Sequence, residues 1–225
     1  VPLLPSFGSA AGPASGSYDA AGGPRLAAFL DSLPLRNRWL AGHPVCWQSG
    51  QQNGPPGSQP PDHTHCSAFA AAVALYLDIY LLRPPHHDQL LLAEAQTAWL
   101  SGSTVFSGPT AAAAGWVPAG FSGEPGALAA AVQAANAGRL VLACYAAGPV
   151  AGRAARGAGH VAILRPQSDP TAELVPADGP DVIMAGVQNY SFVAMRTAFA
   201  GFPGAWPDDI ALFSHETALQ HDVSG

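Results

Sequence analysis

The chain has 225 residues, 48% of them hydrophobic and only 11% charged, with a formal net charge of -6. That is enough apolar material for one sizeable core. The nine basic residues are scattered arginines without a lysine, which excludes a basic stripe for nucleic acid. Glycines, prolines or polar residues break each apolar run before it reaches bilayer-spanning length, so no membrane span and a soluble chain are expected.

Residues 1–24 are rich in Gly, Ser, Ala and Pro. They read as a flexible or draped N-terminal segment. Val1 in place of methionine points to a removed leader or an artificial start. Residues 25–225 are expected to form a single domain. Leu26, Phe29, Leu30 and Leu33 make a short helical stripe stopped near Pro34. Residues 41–61 follow as a loop without periodicity. The strongest helix is expected from about Thr64 to Leu82, capped by Thr64 or Asp62 and ended by Pro84-Pro85. Its apolar residues lie on nearly every side, which predicts a buried central helix. A second helix is expected from near Asp88 to Gly102, with Leu91, Leu92, Ala95 and Trp99 inward, and a third from about Pro125 to Ala137.

The remainder reads as strands: Arg139 to Tyr145, His160 to Leu164, Asp181 to Gly186, Phe192 to Thr197 and Ile210 to Phe213. Between the first two lies a glycine-rich loop, 146–159, carrying Arg153 and Arg156. Helices first and strands afterwards predict an α+β domain with helices packed on an antiparallel β-sheet.

Two residues stand out chemically. Cys66 is expected in the first turn of the central helix, where unpaired N–H groups and the positive end of the dipole favour a thiolate. The same amides could hold the oxyanion of a tetrahedral intermediate. His160 opens a strand, Gly159-His160-Val161-Ala162-Ile163-Leu164, and an imidazole on a rigid strand suits general-base work. A third group should fix the imidazole tautomer. Antiparallel pairing of 160–164 with 181–186 places the following turn beside His160, so Asn189 is the first candidate and Gln188 the second. Asp178 is a further alternative if loop 165–180 folds back.

The remaining cysteines are Cys46 and Cys144. They could pair in an oxidising compartment, although two small buried hydrophobes is the favoured reading. His63, His65 and Cys66 invite comparison with a zinc site, as do His86 and His87. A helix between the two groups separates them by about 25 Å, and neither group alone supplies a tetrahedral set. No metal or other cofactor is expected.

In order, the segments Thr64-His65-Cys66-Ser67-Ala68-Phe69, Trp116, Ala134 to Ala143, Gly159 to Ile163 and Ala185-Gly186-Val187-Gln188-Asn189 resemble the NlpC/P60 and CHAP-type cysteine peptidases and amidases. The resemblance covers residues 62–199. It implies a trimmed papain-like fold in which a nucleophilic cysteine opens the central helix and a histidine starts a neighbouring strand. It also implies cleavage of amide or peptide bonds in bacterial peptidoglycan. Ser67 stands where relatives often carry Asn, and Met184 where they often carry a polar residue. Papain-like enzymes take an oxyanion donor from an upstream glutamine, and Gln59, Gln52, Gln51 and Gln48 all compete for that role here.

The expected reaction has Cys66 attack the carbonyl carbon while His160 takes the thiol proton and passes it to the leaving amine. Water then resolves the thioester. The expected partners are a peptidoglycan or peptide substrate and an inhibitory protein, in a secreted or periplasmic setting. Two alternatives remain open. One is a papain-fold deamidase, acyl transferase or toxin acting on a protein. The other is a catalytically inactive module that binds cell wall or a partner.

Overall fold

A computed structural model describes residues 21–89, 92–146, 159–167 and 174–221. Arg153, Arg156 and Leu91 lie outside the described residues, as do residues 1–20. The elements in chain order are α1 (Gly22–Asp31), a 3₁₀ turn (Leu35–Asn37), α2 (Cys66–Tyr76), α3 (Leu92–Leu100), β1 (Val117–Phe121) and α4 (Ala127–Asn136). Then come β2 (Leu140–Tyr145), β3 (His160–Leu164), β4 (Asp181–Met184), β5 (Tyr190–Ala194), α5 (Met195–Ala198) and β6 (Ala211–His215). The first helix starts at Gly22, inside the segment expected to be draped.

The six strands form one sheet in the order β1-β6-β2-β3-β4-β5. Every described pairing is antiparallel. The chain is therefore α+β, as its helix-then-strand pattern predicts. β1 has no counterpart among the expected strands. Pro118 fits there because β1 is an edge strand, paired only with β6, and the ladder slips between Pro118 and Gly120. The strand expected over 192–197 lies at Tyr190–Ala194, with α5 following directly.

Both faces of the sheet are covered. Leu142, Cys144, Val161, Ile163, Ile183 and Phe213 join one cluster with α2, α3 and Leu26 and Leu30 of α1. Val141, Ala143, Tyr145, Ala162, Leu164, Val182, Met184 and Leu212 join a second cluster with α4 and α5. Successive residues of a strand point to opposite faces. A central strand covered on both sides is therefore apolar throughout, and all six residues of β2 are buried.

α2 is shorter than its apolar run. It stops because Asp78 takes φ +58°, a left-handed conformation that Asp tolerates better than most residues. The Ile79 N–H then turns back to the Ala74 carbonyl at 2.8 Å, closing the helix as a Schellman turn does. The helix start also differs from expectation. His65 is the N-cap and supplies no side-chain cap, so neither Thr64 nor Asp62 performs that task.

The 39–63 loop is held to the mouth of α2 by Trp39. Its ring is fully buried, meets Phe69 edge-on at 5.2 Å and donates from Nε1 to the Trp47 carbonyl at 3.0 Å. Gly50, at φ +63°, lies under that indole, and a Cβ there would stand 2.2 Å from Trp39 Cδ2. Gly50→Ala should lower the unfolding free energy by about 2–4 kcal/mol, from strained backbone and overpacking together. Urea denaturation of the two proteins checks this, and a loss below 1 kcal/mol would mean that Trp39 is free to move (roughly the floor of the overpacking range).

Candidate functional site

Cys66 occupies the first residue of α2 and is only 4% exposed. Its sulfur faces the sheet beside Val161 and joins the α2-side cluster. Burial pushes its thiol up, and this outweighs hydrogen bonds from the Val161 and Ser67 backbone, the Thr64 side chain and its own backbone. Those contacts favour the anion but do not win. Cys144 is buried as well, and burial pushes its thiol far up despite a hydrogen bond with Thr97. All three cysteines are free thiols.

Cys46 differs. It is half-buried on the loop. Partial burial raises its thiol, but hydrogen bonds from the Ser49 side chain and from the Ser49 and Gln48 backbone prevail and leave it below its ordinary value.

His160 is 1% exposed, and its ring lies on the other face of the sheet from Cys66. Register explains why. His160 pairs with Tyr145 and Val161 with Cys144. Val161 and Cys144 face α2, so Tyr145 and His160 face α4 and α5. The ring stacks on Phe202 at 4.7 Å and meets Phe199 edge-on at 5.0 Å. Its Nε2 meets the Met184 sulfur at 3.2 Å, a weak acceptor. Burial pushes its pKa down to about 3. The expected pairing of Cys66 with His160 is therefore not formed. Their backbones are neighbours, but the intervening strand turns the ring away.

The amides expected to orient His160 are not at its ring either. Asn189 Oδ1 accepts from the Gly186 N–H at 3.1 Å, and its Nδ2 donates to the Leu35 and Arg38 carbonyls at 2.9 and 2.7 Å. It ties the β4–β5 turn to the 3₁₀ turn. Gln188 accepts from the Tyr190 hydroxyl, and Asp178 pairs with Arg196 at 3.0 Å. Pairing of β3 with β4 does bring the end of β4 beside His160, but the residue facing the ring is Met184.

The upstream glutamines separate into distinct positions. Gln52 is exposed and donates to the Gly54 carbonyl at 2.8 Å. The Gln48 carbonyl accepts from the Tyr76 hydroxyl at 2.5 Å, and the Gln51 N–H donates to Ser49 Oγ at 3.3 Å. Gln59 Oε1 accepts from His63 Nδ1 at 2.8 Å. This pair lines a pocket of about 320 Å³ at the mouth of α2, with Thr64, His65, Ser67 and Ala68 on its floor. Pro44, Val45 and Asn53 come from the loop, and Asp88 and Gln89 from the segment ahead of α3. His65 Nε2 donates to the His43 carbonyl at 2.8 Å, and burial lowers the His65 pKa.

Sequence reasoning missed the Gln59–His63 pair, whose only sequence signal is a spacing of four residues before a helix start. It also missed Gln96. That fully buried amide donates from Nε2 to the Ser67 and Leu82 carbonyls at 3.1 and 3.0 Å, locking α3 to the start of α2. Among the described residues no group of three His, Cys, Asp or Glu side chains could hold a metal ion. None of the described helices is long and apolar enough to cross a membrane. No family model matches this chain, and no curated protein matches it.

Two outcomes follow from this geometry. Iodoacetamide near neutral pH should modify Cys46 first and leave Cys66 and Cys144 intact until the chain is unfolded, because only the thiolate reacts. Peptide mapping by mass spectrometry reads this, and rapid labelling of Cys66 in the folded chain would contradict the sealed thiol.

The second outcome concerns pH. The His160 pKa of about 3 in the fold lies below the ordinary 6.5, so between those values the unfolded chain holds the extra proton. Its contribution to stability is present above about 6.5 and is lost as pH falls towards 3, by at most about 1.4 kcal/mol per pH unit. His160→Leu should flatten the pH dependence of urea unfolding across that window. An unchanged slope would show that the ring ionises within the fold.

Proposed function

We propose that this chain is a papain-like α+β protein that binds an amide-bearing ligand of the peptidoglycan-peptide class at the mouth of α2, without an assembled cysteine dyad. The observation that carries this is the separation of the Cys66 thiol from the His160 imidazole by the sheet itself. A thiol raised by burial needs a base within hydrogen-bond reach to become a nucleophile. What the helix mouth offers is a pocket edged by amide, imidazole and hydroxyl groups, the mixture that recognises peptide bonds. The papain-like assignment rests on the order of the Cys66, His160 and Gln188-Asn189 segments and on the helix-against-sheet arrangement. A ligand of this class implies a secreted or periplasmic setting.

A second reading, cysteine amide hydrolysis, is favoured by one observation. The Cys66 sulfur is contacted by the Val161 and Ser67 backbone and the Thr64 side chain, the kind of surroundings that hold a thiolate. In that reading Cys66 attacks the amide carbonyl, and His63, with its tautomer held by Gln59, replaces His160 as the base.

The experiment is incubation with soluble peptidoglycan stem peptides, following binding by calorimetry and products by mass spectrometry. Binding without new fragments, retained in Cys66→Ala, is the expected result. Cleavage abolished by Cys66→Ala and by His63→Ala would overturn it in favour of hydrolysis. Neither binding nor cleavage would remove both readings.

A further inference from the structure

Three histidines meet where the 39–63 loop joins α2. The His65 ring is 7% exposed at the N-cap position, and its Nε2–H donates to the His43 carbonyl at 2.8 Å. The His63 ring meets it edge-on with 5.6 Å between centroids, and His63 Nδ1–H donates to Gln59 Oε1 at 2.8 Å. Each of these two rings has one nitrogen left to take a proton, Nδ1 on His65 and Nε2 on His63. An imidazole is the side chain that gains its charge in mild acid. A proton on His65 places a cation in a buried position ahead of the positive end of the α2 dipole. A second proton, on His63, sets two like charges side by side.

The titratable groups around His65 are His43 and His63 from the loop, Cys66 from α2 and, across the pocket, Asp88 from the segment ahead of α3. Cys66 stays a neutral thiol because burial pushes it up. Asp88 is exposed, where solvent weakens its attraction. The sheet side of α2 adds the Cys144 thiol, also kept protonated by burial, and α3 meets the helix start through the neutral amide of Gln96. Burial lowers the His65 pKa first, and His63 and His43 lower it further, outweighing the His43 carbonyl that raises it. The closed arrangement therefore binds the proton less well than an open one. Its advantage is complete above the ordinary 6.5 and shrinks below it, by up to about tenfold in the closed-to-open ratio per pH unit. The part that can yield is 55–63. Residues 55–58 and 60–62 are exposed. Two backbone bonds tie this stretch to Gly42, whose N–H donates to the His63 carbonyl at 3.0 Å and whose carbonyl accepts from the Gln59 N–H at 3.4 Å. Residues 39–50 are pinned instead by the buried Trp39 and Val45. A stretch with few buried contacts opens first.

We propose that His65 is an acid trigger: protonated beside His63, it drives residues 55–63 off the mouth of α2 and opens the pocket while α2 and the sheet stay folded. The device moves the pocket wall that carries Gln59 and His63, and it is independent of which ligand the pocket takes.

The test is NMR relaxation of the full chain, labelled with nitrogen-15, at about pH 7.5 and about pH 5, on either side of the ordinary imidazole range. Backbone order parameters of Gly57, Ser58, Gln59, Asp62 and His63 should fall from about 0.85 to below about 0.6 in acid, the change from rigid to flexible backbone. The amides of β2 should stay rigid at both. His65→Gln keeps an N–H donor for the His43 carbonyl and takes no proton, so its segment should stay rigid in acid. His63→Gln, at the more exposed ring, removes one of the two charges. It should move the transition to about tenfold higher proton concentration. Equal order parameters at both pH values overturn the proposal. A drop in acid that survives both substitutions unchanged overturns it too. So does a drop shared by β2, which marks unfolding of the whole chain rather than an opened wall.

Discussion

The two-sided burial of the antiparallel sheet is the constraint on which the rest of this molecule depends. Strands β2 and β3 are buried throughout and β4 everywhere but at Asp181, so the residues along them must suit one of two apolar layers. Adjacent residues are committed to opposite layers by backbone geometry. One choice of register then sets everything along β3. With Val161 and Ile163 against α2, residues His160, Ala162 and Leu164 go to the α4 and α5 layer. A slip of one residue would move the imidazole to the thiol side, and would at the same time exchange every apolar contact of the strand. The sheet therefore holds His160 in an aromatic cage with Phe199 and Phe202 and keeps it neutral.

The same burial decides the state of the thiols. A helix N-terminus and converging amides favour a thiolate, and Cys66 has both. Burial nevertheless wins at Cys66, because removal of an anion from water costs more than a few dipoles return. Cys46 illustrates the opposite balance. It has fewer structural distinctions, but solvent reaches its loop and the Ser49 and Gln48 groups tip the equilibrium towards the anion. Position on a helix is thus a weaker determinant of thiol chemistry than the dielectric around it.

The pocket at the helix mouth depends on parts that are remote in sequence. Trp39 braces the loop by packing on Phe69 and over Gly50, which brings Val45 and Pro44 to one wall. Gln96 reaches from α3 to the Ser67 carbonyl and the Leu82 carbonyl, which fixes the segment carrying Gln89 relative to the helix start. Asn189 performs a comparable structural task at the far side, joining the β4–β5 turn to the residues after α1. Polar side chains that resemble catalytic groups by type serve here as ties between backbone segments, which is the commonest use of a buried amide.

By itself, the sequence determined the elements whose signal is local. The runs expected as strands at 139–145, 160–164 and 181–186 hold β2, β3 and β4, and the change to an uninterrupted apolar stretch placed the start of the central helix near Thr64, close to its observed start at Cys66. The end of that helix was not, because Asp78 reads as one polar residue in an apolar run until its left-handed backbone is seen. β1 was hidden because Pro118 and Gly120 argue against a strand unless it lies at an edge. Strand geometry puts His160 and Val161 on opposite faces. Which of them faces α2 was decided only by the tertiary structure, because a sheet covered on both sides offers two apolar layers, and hydropathy cannot distinguish them. That choice rests on packing between segments distant along the chain, where shape and volume rather than local pattern select the partner.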